Sequence, residues 1–185
     1  MANKVDVRVL KTKQKLQQAL VELLKDNRIE DISISEICTT GEVNRNTFYA
    51  HYSDVFALFD DVKEVYYNYF LGEIEKMKTG GENTQRIITY FLQSLETNRK
   101  LFASLFADRM GLGYLKQVVE HCLSDALKAI NVNTQLVTTR DFYLFIIGGV
   151  TNLIEEWLND ENYIDPKDMG AKVSFFIYNI KTNYV

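Results

Sequence analysis

Apolar side chains recur three and four residues apart along most of this chain, with polar side chains between them. Near the N-terminus the apolar stripe consists of Leu16, Ala19, Leu20, Leu23 and Leu24. Lysines and glutamines occupy the other face of the same segment. Because this spacing matches the 3.6-residue period of an α-helix, it predicts an amphipathic helix from about Val7 to Asn27.

The next segment carries the signals of two short helices joined by a tight turn. Ser33 is a suitable N-cap, and Glu36 three residues later completes a capping-box pattern. A break follows at residues 40–42, and Asn44 can cap the second short helix.

Helical spacing continues through the rest of the chain. Ser53 and Asp54 can begin a long helix that reaches about Lys78, and residues 79–83 form the clearest break. The spacing predicts further helices near residues 84–97, 98–108, 112–131, 135–159 and 167–183. We therefore predict an all-α protein of about nine helices. An N-terminal three-helix domain would occupy residues 1–53, and a helical bundle would occupy residues 54–185.

The charge distribution is more informative than the net charge. The chain has 185 residues, of which 46% are hydrophobic, and a net charge of −4, so it can bury a sizeable core but is not basic as a whole. Five basic residues stand near the N-terminus: Lys4, Arg8, Lys11, Lys13 and Lys15. Only Asp6 opposes them there, and the acidic excess follows residue 52. This pattern fits a DNA-binding end on an acidic body, although a solvated charged face would look the same.

Several classes of protein are disfavoured by what the chain lacks. Cys38 and Cys122 are far apart and stand in no CxxC motif, which indicates reduced thiols rather than a disulfide framework or a zinc site. Only two histidines, no nucleophile elbow and no glycine-rich phosphate loop are present, so we predict no enzyme, cofactor or metal. No apolar run approaches the roughly 18 residues of a membrane span, and we expect a cytoplasmic protein.

The second short helix carries the densest run of hydrogen-bonding side chains. If Val43 and Phe48 pack inward, then Arg45, Asn46 and Tyr49 point outward. Arginine can bond O6 and N7 of guanine, and asparagine can bond N6 and N7 of adenine. A polar helix braced by a short apolar helix is the arrangement of a helix-turn-helix. The segment therefore predicts a sequence-specific DNA-binding protein.

Three segments between residues 8 and 59 match the pattern of a known family. They are the basic amphipathic helix that ends in Leu20-Val21-Glu22-Leu23-Leu24, the segment Ile32–Cys38, and the segment Val43–Tyr52. The last, and most specific, is similar to V-x-x-x-T-(F/L)-Y-x-(H/Y)-F, the recognition helix of the tetracycline-repressor (TetR) family of transcriptional regulators. About a quarter of the chain therefore resembles the DNA-binding domain of that family.

The resemblance implies a set of DNA contacts, to which the basic first helix adds Lys11 as a phosphate contact. The implied residues are Ser33, Ser35, Arg45, Asn46, Thr47, Tyr49 and His51. Taken alone, Tyr49 is explained equally well by simple packing. Taken alone, His51 is better explained by a structural role. The case rests on the whole set in this order.

Two positions depart from the family pattern. The family has glycine immediately before the recognition-helix valine, where this chain has Glu42 preceded by Gly41. Either Glu42 adopts a left-handed conformation, at a cost of roughly 1 kcal/mol, or the turn shifts by one residue. The family often has a phosphate-binding lysine at the start of the fourth helix, where this chain has Val55.

The resemblance also implies dimerisation through the last two helices. The predicted helix of residues 135–159 is apolar on more than one face and needs cover on both sides, which a second subunit or a central position in a monomer would supply. Two adjacent glycines in it suggest the close approach of another helix. The candidate interface residues are Gly148, Gly149, Trp157, Phe176 and Ile180.

Family members commonly sense small molecules, and aromatic residues could line such a pocket here. The candidates are Tyr66, Tyr69, Phe70, Phe91, Phe102, Phe106 and Tyr143. Aromatics at helical spacing are also the residues of an ordinary core. A protein partner could replace the small molecule.

The sequence thus predicts a homodimeric repressor that binds a palindromic operator and is released by a small-molecule effector. The alternative is a helical protein-interaction module, or a co-activator, that uses the same fold without effector-gated repression. Glu42 and Val55 favour the alternative.

Overall fold

A computed structural model of the chain describes residues 7–128 and 138–184, with side chains as far as residue 179. Nine α-helices follow one another within these residues. They are α1 (Val7–Leu23), α2 (Ile34–Thr40), α3 (Arg45–Tyr49), α4 (Val55–Thr79), α5 (Thr84–Thr97), α6 (Arg99–Leu105), α7 (Arg109–Lys128), α8 (Thr139–Asn159) and α9 (Pro166–Tyr184). The prediction of an all-α protein is confirmed.

Helix ends differ from the predicted ones where a side chain caps the backbone. α1 stops at Leu23 rather than near Asn27, and the side-chain amide of Asn27 donates to the Leu23 carbonyl at 2.9 Å. α6 stops at Leu105, and the Asp108 carboxylate then accepts from the Gly111 amide at 2.7 Å in the first turn of α7. Residues 129–131 and 135–137 of two predicted helices lie outside the described residues.

The chain forms two compact units, which meet in sequence between Tyr66 and Tyr67, within α4. The first unit therefore includes the first half of α4 as well as α1, α2 and α3. The division into domains of residues 1–53 and 54–185 stays a prediction.

In the first unit a small core orders the three N-terminal helices. The side chains of Leu16, Leu20, Ile37, Phe48 and Leu58 have no exposed surface. Burying side chains of this size stabilises the unit by about 1.5–3 kcal/mol each. The stripe on α1 is thus buried, as its spacing predicts, and α1 packs against α2.

The second unit depends on a close packing of α5 against α9. Gly170 permits it, since a Cβ atom at this position would lie 2.3 Å from the Thr89 hydroxyl oxygen. A buried cluster of four aromatic rings lies in the same unit, with ring centroids 5.0–6.0 Å apart: Phe70, Phe91, Phe102 and Phe106.

Candidate nucleic-acid interface

Helix α3 is capped at its N-terminus and anchored on one face by a buried side chain. Its N-cap, Asn44, accepts a hydrogen bond from the Asn46 amide at 2.8 Å. On the inner face Phe48 is fully buried, whereas Arg45, Asn46 and Tyr49 are exposed, Tyr49 by 58% of its surface. A short helix with one buried anchor thus presents these three side chains together to the outside.

Two further residues of this segment are less accessible. Thr47 and His51 are half-buried, and the His51 ring lies 6.4 Å from the ring of Tyr52. Partial exposure suits a contact with the phosphate backbone better than the reading of a base deep in a groove.

The N-terminus of α2 already holds an anion of the protein itself. The Glu36 carboxylate accepts from the Ser33 amide at 2.8 Å and from the Ser33 hydroxyl at 2.6 Å. These bonds lower the pKa of Glu36 below its ordinary value. The capping box predicted from sequence is present. Because it satisfies the Ser33 donors and adds negative charge, a phosphate there must compete with Glu36. The adjacent Ser35 is half-buried.

The turn between α2 and α3 adopts the first of the two predicted alternatives. Glu42 has a φ of +51°, in the left-handed region, and Gly41 has an ordinary φ of −83°. A Cβ atom at Gly41 would lie 3.1 Å from the Ile37 carbonyl oxygen and 3.2 Å from that of Lys15. Gly41 therefore serves the close approach of the turn to α1, and Glu42 carries the unfavourable backbone conformation.

The start of α4 offers no cation. Val55 is buried, and the Asp54 carboxylate accepts from the Ala57 amide at 2.8 Å. Phe56 is exposed. This end of α4 therefore carries a carboxylate and an exposed aromatic ring but lacks the family lysine, and both features reduce its attraction for phosphate.

Among the described basic residues of α1, the cations have different surroundings. Lys11 is exposed. Lys13 is half-buried and lies 3.1 Å from the Asp61 carboxylate, and Lys15 lies 3.9 Å from that of the exposed Glu42. The charge of Lys13 is therefore already paired within the protein, and Lys11 is the better phosphate contact. Sequence reasoning missed Asp61, because only the folded chain brings it to α1.

The predicted pocket residues are divided between the two units. Tyr66 belongs to the first unit, where it lines a surface groove with Gln14 and Val62. In the second unit the four phenylalanines pack on one another, while Tyr69 is exposed and Tyr143 is half-buried. A separate groove of about 620 Å³ is lined by Asn83, Thr84, Gln85, Ala126, Ala171, Ser174, Phe175, Ile177 and Tyr178.

The predicted dimer residues divide into two groups. Gly148 and Gly149 are exposed on α8, and a Cβ atom at either would meet no atom within 4 Å. Phe176 on α9 is exposed. Trp157 is only 5% exposed, and its indole N–H donates to the Ile164 carbonyl at 2.8 Å, so it packs within the second unit and its place at the interface stays a prediction. The side chain of Ile180 lies outside the described residues.

Comparison with known proteins identifies the family. Residues 82–179, more than half of the chain, match the TetR-type family described as transcriptional regulator C-terminal region. This chain belongs to the TetR family of transcriptional regulators. The prediction of a transcriptional regulator is thereby confirmed.

Individual known proteins similar to this chain support the same assignment. The uncharacterized HTH-type transcriptional regulator YxbF of Bacillus subtilis (strain 168) is 28% identical over an alignment of 165 residues, and the match covers 85% of this chain and 42% of that protein. The chain thus spans less than half the length of this curated relative. A TetR transcriptional regulator from Streptococcus agalactiae 2603V matches with a TM-score of 0.72 and 18% identity, over 95% of this chain and 97% of that one.

A second solved structure is the Thermus thermophilus FadR, a TetR-family transcriptional repressor in complex with lauroyl-CoA. It matches with a TM-score of 0.63 and 14% identity, over 90% of this chain and 93% of that chain. At such identities the likeness of the two structures shows the shared fold.

The described residues contain neither a candidate membrane helix nor a candidate metal site. Residues 7–128 and 138–184 contain no helix that is both long and apolar enough to cross a membrane. Across the same ranges, no group of three or more His, Cys, Asp or Glu side chains is placed to hold a metal ion.

Proposed function

We propose that this TetR-family regulator binds a palindromic operator as a homodimer, represses transcription there and is released by a small-molecule effector. The observation that carries the DNA-binding part is the exposed face of α3, where Arg45, Asn46 and Tyr49 lie opposite the fully buried Phe48. Arg45 and Asn46 read base edges, and Thr47, Tyr49, His51 and Lys11 contact phosphates. Ser35 contributes to phosphate binding, and Ser33 does so only where Glu36 yields.

The homodimer follows from the size of the reading element. α3 has five residues and reaches few base pairs, so a specific site requires a second copy on a symmetric operator. Exposed apolar side chains on α8 and α9 support the interface: Leu144, Phe145, Phe175 and Phe176. Large apolar residues exposed together on a single chain commonly mark such a contact.

The effector is proposed to bind among the aromatic residues of the second unit. The repressor of similar fold that holds lauroyl-CoA supports a small-molecule site in this architecture. Because the four phenylalanines pack on one another, an effector that binds among them must separate their rings. We expect the bound effector to weaken operator binding, measured as release of labelled operator DNA. The protein acts in the cytoplasm.

The experiment that tests the proposal is selection from random duplex DNA with the purified protein, followed by affinity measurements at two salt concentrations. We expect one palindromic sequence, and an affinity that falls about 10³–10⁵-fold between about 50 and 200 mM salt if six to ten phosphates are neutralised. No preferred sequence, or a flat salt response, would refute DNA recognition. That result would favour the protein-interaction alternative.

A further inference from the structure

A hydrogen-bonded cluster behind the recognition helix connects three elements of the first unit. Its centre is Asp61 on α4, and only 24% of that side chain is exposed. The Asp61 carboxylate accepts from the Tyr52 hydroxyl, from the Gln17 amide at 2.9 Å and from the Lys13 ammonium at 3.1 Å. Lys13 also lies 5.3 Å from the centre of the Tyr52 ring. One carboxylate thus connects α4 to α1 and to the segment that follows α3.

The ionisation of the cluster agrees with its geometry. Burial alone would raise the pKa of the Asp61 carboxyl, but the hydrogen bonds from Tyr52, Gln17 and Lys13 outweigh it and the pKa lies below its ordinary value. Burial and the bond to Asp61 raise the pKa of the Tyr52 hydroxyl. The carboxylate is therefore ionised and the phenol is a donor at neutral pH, so the bond persists wherever the protein is folded and active.

Tyr52 connects Asp61 to the recognition helix through its contacts with Phe48. Its ring lies 5.8 Å from that of Phe48, the buried anchor of α3. Its backbone amide donates to the Phe48 carbonyl at 2.9 Å. Since Phe48 and the base-reading side chains project from opposite faces of one five-residue helix, any rotation at Phe48 also turns Arg45 and Asn46.

From this geometry we infer that Asp61 is a positioning residue for operator recognition, acting through Tyr52 on the orientation of α3. The inference rests on the proposed function. Base-edge contacts require bidentate geometry, whereas phosphate contacts tolerate small rotations. Loss of the Asp61–Tyr52 bond therefore affects the choice of sequence more than general affinity for DNA.

The test compares Tyr52→Phe and Asp61→Asn with the wild-type protein on the selected operator and on random duplex. Tyr52→Phe removes only the hydroxyl and keeps the ring against Phe48. We expect each variant to lose about tenfold in operator affinity, with less than about a twofold change on random duplex. The double variant should lose no more than the worse single variant, because Tyr52→Phe removes only the Asp61–Tyr52 bond that Asp61→Asn already weakens.

Matched controls separate positioning from general destabilisation. Glu64→Gln makes the same charge change at an exposed residue on the same helix. Tyr67→Phe removes a hydroxyl that donates to Gln117 at 2.8 Å in the second unit. Both controls should keep the wild-type ratio of operator to random affinity. Thermal melting of every variant fixes a measuring temperature at which all are folded.

The outcomes distinguish the inference from the proposed function. A wild-type protein that selects no sequence refutes the proposed function itself. If the wild-type protein selects an operator but both variants keep its ratio of operator to random affinity, Asp61 does not position α3. Independent, additive losses in the double variant would overturn the inference as well. If Tyr52→Phe fails to fold, Asp61→Asn alone decides through the same ratio.

Discussion

At the turn before the recognition helix, the unfavourable backbone conformation lies on a glutamate although a glycine is adjacent. A larger residue in place of Gly41 would crowd the carbonyls of Ile37 and Lys15. This close packing accounts for a glycine at position 41, one residue before the position of the family glycine. Glu42 then takes the left-handed conformation with a φ of +51°. Its contact with Lys15 at 3.9 Å between exposed side chains compensates little.

Replacing Glu42 by glycine should therefore stabilise the protein. A left-handed conformation costs an ordinary residue roughly 1–2 kcal/mol, part of which is offset by the greater freedom of glycine in the unfolded chain. We expect Glu42→Gly to raise the free energy of unfolding by about 1 kcal/mol, measured by urea denaturation. Gly41→Ala is the matched control and should lower it. Equal effects of the two substitutions would contradict this account of the turn.

The side chains proposed to touch DNA should differ in what they contribute. Arg45→Ala should relax base preference and cost about 1–3 kcal/mol at the selected operator. Lys11→Ala should weaken operator and random duplex alike and lower the salt slope by about 1 for each lost contact. Affinities at several salt concentrations measure both effects. If both substitutions weaken the two DNAs equally, Arg45 is not a base reader.

At the scale of elements, the junction of α6 and α7 requires a glycine for packing. The first turn of α7 approaches the end of α6 so closely that a Cβ atom at Gly111 would lie 1.9 Å from the Leu105 carbonyl oxygen and 2.8 Å from the Phe106 Cα atom. Both neighbours are backbone atoms, so they cannot move without displacing a helix end.

Gly111→Ala should accordingly destabilise the protein by about 1–3 kcal/mol or more, the usual cost of overpacking. Gly113 stands two residues later on the same helix, and a Cβ atom there would meet nothing within 4 Å. Gly113→Ala should raise stability by up to about 1 kcal/mol through helix propensity. Urea unfolding followed by circular dichroism compares the two, and the same sign for both would show that the junction relaxes easily.

For the whole molecule, the decisive contact is the proposed one between two copies of the chain. Gly148 and Gly149 adjoin exposed apolar residues on α8, and Phe145 is 73% exposed. In the described single chain a side chain at either glycine has room, so the single chain does not account for glycine at these positions. A second backbone that approaches α8 closely would account for it.

Gly148→Leu should then disrupt the dimer and leave the fold of each chain intact. The added side chain would overpack the contact by about 1–3 kcal/mol, and symmetry doubles the clash. We expect a helical monomer by circular dichroism and light scattering, with loss of operator affinity. Gly72→Leu adds the same side chain on α4, where a Cβ atom also meets nothing within 4 Å, and should remain dimeric. A Gly148→Leu protein that stays a dimer of full affinity would place the interface elsewhere.

Much of this protein could be inferred from the sequence because the relevant signals act within one or two helical turns. Neighbouring residues of the stripe on α1 are no more than four positions apart. The same holds for Ser33 and Glu36 in the capping box and for the Asn44 cap. Helix type and helix starts follow from such local bonds. The same locality places Arg45, Asn46 and Tyr49 on one face opposite Phe48.

Tertiary structure decided what depends on residues distant in sequence. α1 passes beside the turn, so there is little space for a side chain at Gly41, and Glu42 takes the left-handed conformation. Lys13 is paired because the fold brings it to Asp61, 48 residues away. Trp157 is buried because the segment after α8 folds back so that the Ile164 carbonyl meets its indole. Helical periodicity shows which face of a helix is apolar, but which neighbour covers that face depends on packing across the whole unit.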